Sequence, residues 1–215
     1  MLCLSEIFCS IQGESTFVGL PCVFVRLAGC NLDCSYCDTG YARLDDDSEK
    51  LSIQEIADRV FDYMVPLVEL TGGEPLLQQE TPELIHYLLG LDYTVLVETN
   101  GSLDISPLDR RAHLIVDIKT PGSGMVESFH LPNLDILQPH HQIKFVLVDE
   151  ADFFWSLDFI KQHLPKLKYK EIIFSPVATS FKPVVLAELM LKYRVRARLQ
   201  LQLHTLLWPG SDRGR

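Results

Sequence analysis

The sequence predicts an α/β fold, a partial, open (β/α)6-type barrel. Short β-like runs alternate with helix-like runs along most of the 215 residues, which indicates βαβ units and a parallel sheet. About six such units fit, whereas a complete barrel has eight and needs roughly 250 residues. Because no linker, repeat or low-complexity tract divides the chain, residues 1–215 are predicted to form a single domain.

The predicted elements follow one another in chain order. The first strand, 21–27, enters a loop rich in cysteine that also carries an acidic stretch at 45–47, which is expected to be solvated. Ser52 and Glu55 form a capping box that begins the first helix. The remaining strands are predicted at 67–70, 93–97, 114–118, 143–148, 172–174 and 195–204, with helices beginning at 81 and covering 153–164 and 185–193. Strict alternation over 195–204 places His204 on the polar face of the last strand.

Charge and cysteine usage exclude several classes of protein. The formal charge of −10 argues against sequence-independent binding to nucleic acid. No apolar run is long enough to span a bilayer, and the first residues lack the basic start of a signal peptide, so we expect neither a membrane anchor nor export. All six cysteines lie within the first 37 residues, which indicates a reduced, cytoplasmic protein with a local thiolate site.

Polar residues follow the predicted strands at the point where each strand ends. The carboxyl ends of parallel strands meet at one edge of a sheet, and ligands bind there. The sequence therefore predicts a site at this edge before any family is considered. Six segments contribute to it: the cysteine loop, 71–74, 98–100, Lys119, 175–176 and His204.

Three cysteines, Cys30, Cys34 and Cys37, have the spacing CxxxCxxC. Structural zinc and iron–sulfur clusters both normally take four protein ligands. A cubane cluster held by three thiolates leaves one iron open to substrate or cofactor, so we interpret the triad as catalytic. A zinc knuckle and three merely clustered thiols remain open alternatives.

The triad followed by Gly72-Gly73-Glu74-Pro75 resembles the radical S-adenosylmethionine (radical SAM) superfamily. Further segments resemble the 7-carboxy-7-deazaguanine synthase family within it: 8–14, 26–30, 37–39, 70–75, 98–101 and 202–205. The resemblance implies a barrel of the radical SAM kind, with the 4Fe–4S cluster loop after the first strand. Its cofactors would be a 4Fe–4S cluster on the three cysteines, S-adenosylmethionine, and Mg²⁺ bound by Thr39.

The resemblance also implies two sets of binding residues. Arg26 would hold the substrate carboxylate, because its fork matches a carboxylate bidentately, and glycine at 72 and 73 would let the backbone approach a ligand closely. The residues implied for S-adenosylmethionine are Tyr36, Gly72, Gly73, Glu74, Asp117, Lys119 and Ser175. Those implied for the substrate are Ile11, Gln12, Gly13, Arg26, Thr71, Glu98 and His204.

The implied reaction is a lyase-type ring contraction in queuosine and deazapurine biosynthesis. It converts 6-carboxy-5,6,7,8-tetrahydropterin to 7-carboxy-7-deazaguanine with loss of ammonia. The implied partners are an external one-electron donor such as a flavodoxin or ferredoxin and a second copy of the chain in a homodimer. The sequence departs from the family pattern in three places: Ser15 replaces a glycine, Asp117-Ile118 replaces Ser-Pro before Lys119, and a longer tail ends at Arg215.

Two other functions compete with this interpretation. A small activase that generates a glycyl radical on a partner protein would share the triad and the short length, but the opening at 8–14 and the segment 202–205 argue against it. A non-enzymatic zinc-binding module would explain the cysteines without the other motifs.

Overall fold

The computed structural model describes residues 1–43, 48–164, 172–210 and 213–214. The acidic stretch at 45–47 and Arg215 lie outside the described residues. No helix in these ranges is long and apolar enough to cross a membrane.

Nine strands in the described part of the chain form one sheet in the order β3-β1-β2-β4-β5-β6-β7-β8-β9. The strands are β1 (Leu2–Ile11), β2 (Pro21–Leu27), β3 (Glu49–Leu51), β4 (Leu67–Gly72), β5 (Thr94–Thr99), β6 (His113–Asp117), β7 (Gln142–Leu147), β8 (Ile172–Pro176) and β9 (Arg198–Leu199). The helices are α1 (Ile53–Asp62), α2 (Thr81–Gly90), α3 (Glu150–His163), α4 (Pro183–Lys192) and α5 (Leu203–Leu207).

The predicted partial barrel is confirmed. From β2 onward every neighbouring pair of strands is parallel, which gives six longer strands and the two-residue β9. The predicted capping box also forms, since the Ser52 side chain accepts from the Glu55 backbone while the Glu55 carboxylate accepts from the Ser52 backbone.

The two faces of the parallel sheet differ in polarity. Alternate residues point to opposite faces of a strand. One set, which includes Val25, Leu70, Val97 and Phe145, is fully buried in apolar clusters with the helices. The other set carries the polar side chains, at positions 26, 69, 71, 98, 117, 144 and 175. Burying a polar side chain without a partner is costly, so this second face predicts a hydrogen-bonded or ligand-binding interior.

The N-terminal segment differs from the prediction. The cysteine loop follows β2, which is the second strand of the chain rather than the first. The strand that was missed, β1, pairs antiparallel with both β2 and β3. It carries polar residues at Ser5, Glu6 and Ser10 among its apolar ones, and pairing with β2 satisfies its backbone at the sheet's margin. The cysteine loop still follows the first strand of the parallel series.

The predicted last strand, 195–204, is wrong over most of its length. Only Arg198–Leu199 pairs with β8, and Leu203–Leu207 is a short helix, so His204 lies in a helix rather than on a polar strand face. The physical reason is that an alternating pattern forms a strand only where a partner backbone is present. Beyond Gln200, whose N–H donates to the Phe174 carbonyl, the chain turns towards Gly13 instead.

The predicted alternation of strand and helix also holds only in part. α1, α2, α3 and α4 each connect parallel strands, but the β5–β6 and β6–β7 connections contain no α-helix. Short 3-10 turns at Pro121–Ser123, Val126–Ser128 and Leu131–Asp135 occupy the second of these connections. The turn at Pro121–Ser123 lies against the cysteine loop, because the carbonyls of Gly122 and Ser123 accept hydrogen bonds from Ser35.

Candidate active site

The cysteine loop extends from the end of β2 and is anchored at both ends. The Gly29 N–H donates to the Ala42 carbonyl at 2.8 Å, and Ser35 bonds through its backbone N–H to Ser123 and through its hydroxyl to the Gly122 carbonyl. Cys30 and Cys34 are half-buried and Cys37 is exposed, and all three are free thiols. The loop thus carries three available sulfur ligands on a fixed backbone.

The three thiols are close enough to affect one another. Burial raises the pKa of Cys30, and the negative charges of Glu74 and Cys37 raise it further. Burial also raises the pKa of Cys34, which the ammonium of Lys119 partly opposes. Within the described ranges, no three His, Cys, Asp or Glu side chains are arranged to hold a single metal ion. The ligands of a cubane bind separate irons, so they need not converge on one point, and the donor set fits an iron–sulfur cluster.

Gly72 and Gly73 pack against the start of the cysteine loop. A Cβ on Gly72 would lie 2.0 Å from the Leu27 carbonyl oxygen, and a Cβ on Gly73 would lie 2.1 Å from that of Gly29. The Gly73 and Glu74 N–H groups donate to those same carbonyls, at 3.1 and 2.8 Å. The missing side chains therefore allow β4 to lie directly against the loop that presents Cys30.

Glu74 is fully buried, and protein donors surround its carboxylate. It accepts from the Thr99 hydroxyl at 2.8 Å, the Asn100 N–H at 2.7 Å and the Leu76 N–H at 3.0 Å. Burial raises its pKa, and these three hydrogen bonds oppose the shift. The side chain joins the end of β4 to the end of β5, so any ligand contact at this residue would come from its backbone.

Three of the residues implied for S-adenosylmethionine, Tyr36, Asp117 and Lys119, meet near the end of β6, and Ser175 lies on the same interior face of β8. Lys119 Nζ donates to Asp117 Oδ2 at 2.7 Å and lies 5.8 Å from the centre of the Tyr36 ring. Burial alone would lower the pKa of Lys119, but the Asp117 charge raises it above its usual value. Tyr36 OH, Asp117 Oδ1 and Ser175 Oγ are buried and have no hydrogen-bond partner among the described residues. Unpaired buried polar atoms are rare, and these three fit a polar cofactor.

The opening motif and the C-terminal segment meet, as the resemblance implies. A Cβ on Gly13 would lie 3.3 Å from the Leu203 nitrogen and 3.7 Å from His204 Nδ1. Leu203 N–H donates to the Gly13 carbonyl at 3.4 Å. Gln202 Nε2 lies 3.1 Å from Glu14 Oε1. Residues that are distant in sequence therefore form one wall, next to half-buried Ile11 at the end of β1.

Both polar atoms of the Gln12 side-chain amide form hydrogen bonds within the protein. It is 3% exposed, its amide nitrogen donates to Glu69, and its amide oxygen accepts from the Glu14 N–H at 2.9 Å. Its backbone N–H and carbonyl pair with Leu20 and Gly19. This residue therefore fixes the turn, while its neighbour Gly13 lies next to His204.

Arg26 and Thr71 are opposite one another on β2 and β4. Arg26 Nε donates to Glu6 at 2.8 Å, and its guanidinium lies 5.7 Å from the Phe8 ring centre. The ion pair is largely buried, with the Arg26 side chain 11% exposed. Thr71 Oγ1 is 3.5 Å from Glu98 Oε2. Arg26 thus has an anionic partner on β1 and lies in the same layer as the other predicted substrate residues.

Glu98 is paired with a lysine that the sequence analysis did not identify. Lys144 on β7 donates to Glu98 and also to Glu14 Oε2, the latter at 3.0 Å. Burial raises the pKa of Glu98, but the charge and hydrogen bond of Lys144, together with the charges of Lys119 and Arg26, lower it below its usual value. The result is an ionised carboxylate at the end of β5.

A second missed residue, Glu69, lies on the same interior face. It is 5% exposed, and burial followed by repulsion from Glu98 raises its pKa to about 8. The pKa values of these two interior carboxyl groups thus shift in opposite directions, because Glu98 is paired with the Lys144 ammonium whereas Glu69 accepts from the neutral Gln12 amide. A single Glu or Lys within an otherwise apolar strand, as in 67–70 and 143–148, is the sequence signal that could have identified both residues.

Thr39 lies beside the third cysteine. Its hydroxyl is 3.9 Å from Cys37 Sγ, and it precedes a short turn, Gly40–Ala42, without capping it through its side chain. A hydroxyl fits Mg²⁺, which prefers oxygen ligands and retains several waters. The chain would then supply one ligand near the cluster, and substrate and water would supply the others.

A cavity of about 330 Å³ lies away from these residues, between α3 and the turns that follow β6. Its lining includes Phe129, Trp155 and Phe159 but none of the predicted site residues. The site is therefore the polar interior at the carboxyl ends of the strands rather than this cavity.

Comparisons with known proteins agree with the geometry. The radical SAM superfamily model matches residues 25–125. A 7-carboxy-7-deazaguanine synthase of Chlorobaculum tepidum is 45% identical over 98% of this chain and 96% of its own. One from Koribacter versatilis is 38% identical over 98% and 99%. The crystal structure of QueE from Escherichia coli superimposes with a TM-score of 0.75 at 20% identity, covering 94% and 93% of the two chains, which shows a shared fold.

Proposed function

Since this chain belongs to the 7-carboxy-7-deazaguanine synthase family of the radical SAM superfamily, we propose that it catalyses the ring contraction of 6-carboxy-5,6,7,8-tetrahydropterin, as a carbon–nitrogen lyase that releases ammonia. It is a radical SAM enzyme of deazapurine biosynthesis. The observation that carries the proposal is the meeting of 12–14, Glu98 and 202–204 beside the cysteine loop.

Cofactor binding is assigned to the residues that fit each group. Cys30, Cys34 and Cys37 would hold a 4Fe–4S cluster. The backbone at Gly72, Gly73 and Glu74 and the side chains of Tyr36, Asp117, Lys119 and Ser175 would hold S-adenosylmethionine, for which the unpaired polar atoms at 36, 117 and 175 are the support. When bound, the cluster and S-adenosylmethionine supply the one-electron chemistry that starts the reaction.

The chain's own residues would bind and orient the pterin. Glu98, held ionised, would accept N–H groups from the aminopyrimidine ring, and Arg26 would hold the carboxylate. Thr71, Ile11, Gly13 and His204 would close the pocket, with Gln12 fixing the turn. Charge-assisted hydrogen bonds of this kind are the stronger ones and also fix orientation.

The direct test is turnover by anaerobically reconstituted protein. Incubation with the carboxytetrahydropterin, S-adenosylmethionine and dithionite should yield 7-carboxy-7-deazaguanine and ammonia. The deazaguanine product is measured by liquid chromatography with mass spectrometry. Omitting S-adenosylmethionine and using Cys34→Ala are the controls. No product, together with a glycyl radical on a partner protein, would instead indicate an activase. Stoichiometric zinc with no iron would indicate a binding module.

The finer assignments have separate tests. We propose that Thr39 contributes to an Mg²⁺ site, so removing Mg²⁺ should slow product formation in the parent and much less in Thr39→Val.

We also propose a homodimer, measured by sedimentation, with residues 1–215 as a single catalytic domain. A flavodoxin or ferredoxin would supply electrons, and the proposed location is the cytoplasm, because the six cysteines form no disulfide with one another.

A further inference from the structure

Lys144 is a buried cation that lies outside every family motif of the sequence. It lies in the middle of β7 on the polar interior face, opposite Asp117 of β6, and its side chain is only 5% exposed. Its Nζ donates to Glu14, in the turn before β2, and to Glu98, at the end of β5. One ammonium therefore joins two segments that both belong to the proposed substrate pocket.

The lysine keeps its charge despite its burial. Burial alone lowers the pKa of a lysine, but the carboxylates of Glu14 and Glu98 raise that of Lys144 well above its usual value. A buried charge is tolerated when it is paired and hydrogen-bonded. Removing the ammonium would leave the carboxylates of Glu14 and Glu98 without their shared cation. Glu98 is in addition repelled by Glu69.

The two carboxylates are not equally available to a ligand. The Glu98 side chain is 30% exposed, compared with 18% for the Glu14 side chain. Glu98 Oε1 accepts from Lys144, whereas among the described residues Oε2 has only a long contact of 3.5 Å with the Thr71 hydroxyl. Lys144 thus bonds to one oxygen and leaves the other one weakly bonded. An anionic carboxylate accepts N–H donors with both oxygens, while a protonated one cannot.

We propose that Lys144 is the positioning residue for substrate recognition. It holds Glu98 as a fixed anion that accepts the N–H groups of an aminopyrimidine, and it ties the turn at 12–14 to that anion. This inference rests on the proposed function, in which Glu98 binds the pterin ring. The charged groups that act on Glu98 are Arg26, Glu69, Lys119 and Lys144, and Lys144 is in turn influenced by Glu14 and Asp117.

A double-mutant cycle tests the inference. The probe is 6-carboxypterin, the oxidised analogue, titrated by calorimetry into anaerobically reconstituted protein. Lys144→Met and Glu98→Gln should each weaken its binding by about tenfold or more, because both remove the fixed anion. Glu98→Gln/Lys144→Met should bind as Glu98→Gln does, since a residue that acts through another adds no loss once its partner is neutral. Lys144→Arg should restore much of the affinity, and the exposed Lys50→Met is the matched control.

Separate readouts distinguish positioning from general structural support. S-adenosylmethionine affinity should stay within about twofold of the parent in Lys144→Met, because the lysine bonds to Glu14 and Glu98. Losses that multiply in the double variant, an equal loss of S-adenosylmethionine binding, or normal pterin binding in Lys144→Met would each overturn the inference. If Lys144→Met does not fold, Lys144→Gln replaces it both alone and in combination with Glu98→Gln: further weakening in the double variant overturns the inference and equal binding supports it. A parent protein that neither binds carboxypterin nor forms product would contradict the proposed function itself.

Discussion

The carboxylate of Glu74 accepts a hydrogen bond from the backbone N–H of Asn100 at 2.7 Å, and this contact joins the carboxyl ends of β4 and β5. Both ends contact the cysteine loop: the Glu74 N–H donates to the Gly29 carbonyl, and the Asn100 side-chain amide donates to Asn31 Oδ1 at 3.1 Å. A residue expected to contact a cofactor thus uses its side chain to hold the strand ends together.

The first prediction concerns this carboxylate. Glu74→Ala should lower the free energy of unfolding by about 2–4 kcal/mol, because the Asn100 and Leu76 N–H groups and the Thr99 hydroxyl lose their buried acceptor. Glu74→Gln should cost less, since one amide oxygen remains. Urea denaturation measures both. The exposed Glu188→Gln on α4 is the control and should change stability by less than about 0.5 kcal/mol; equal effects at 74 and 188 would contradict the role of the carboxylate.

Local sequence signals predicted much of the fold. The capping box at Ser52 and the apolar runs that became β2, β4, β5, β6, β7 and β8 depend on neighbouring residues, so the sequence alone reveals them. The prediction failed where the outcome depended on pairing partners: β1 was missed, and the alternating 195–204 segment formed a strand only at Arg198–Leu199.

The site could be predicted to a similar extent. Motifs located the cysteines and the ends of the strands, but not the partners of their side chains. That Lys144 neutralises Glu98 and Glu14 depends on the packing of three segments that are distant in sequence. The burial of Gln12 against Glu69 likewise appears only once β4 is folded next to β2. Such long-range pairs leave no periodic or spaced pattern in a single sequence.

The second prediction concerns Gly73. In Gly73→Ala, the added Cβ would lie 2.1 Å from the Gly29 carbonyl oxygen and 2.8 Å from Cys30 Cβ, so β4 and the cysteine loop must separate. Iron content after reconstitution should therefore fall severalfold. The matched control is Gly90→Ala on α2, where a Cβ meets nothing within 4 Å and alanine favours the helix. Full iron incorporation in both variants would contradict the close packing.

The third prediction separates five of the six cysteines. Replacing Cys30, Cys34 or Cys37 by alanine should abolish turnover and the absorbance near 400 nm, about where thiolate-to-iron charge transfer occurs. Cys3→Ala and Cys22→Ala should keep both, because these thiols lie in β1 and β2 rather than in the loop. Cys22 is fully buried, so its variant should lose about 1 kcal/mol of stability without losing iron. Equal loss of iron from the two groups would contradict the assignment.

The last prediction is a loss of stability in mild acid. His141, just before β7, is 6% exposed; its Nδ1 accepts from the Gln138 N–H at 3.1 Å. Burial, followed by the charge of His140, lowers its pKa to about 4. An unfolded histidine has a pKa of about 6.5, so between these values the unfolded chain binds a proton that the folded chain does not. The stabilising contribution is therefore complete above about pH 6.5 and is lost as the pH falls towards 4.

From about pH 7 to about pH 5 this residue should account for a decrease of about 2 kcal/mol in the free energy of unfolding. Burial also lowers the pKa of nearby His113, which adds to the decrease in the same direction. His141→Asn removes the titrating ring, so its free energy of unfolding should depend less steeply on pH across this range. Urea denaturation at several pH values measures the two slopes, and parallel slopes in parent and variant would show that His141 does not titrate as its burial requires.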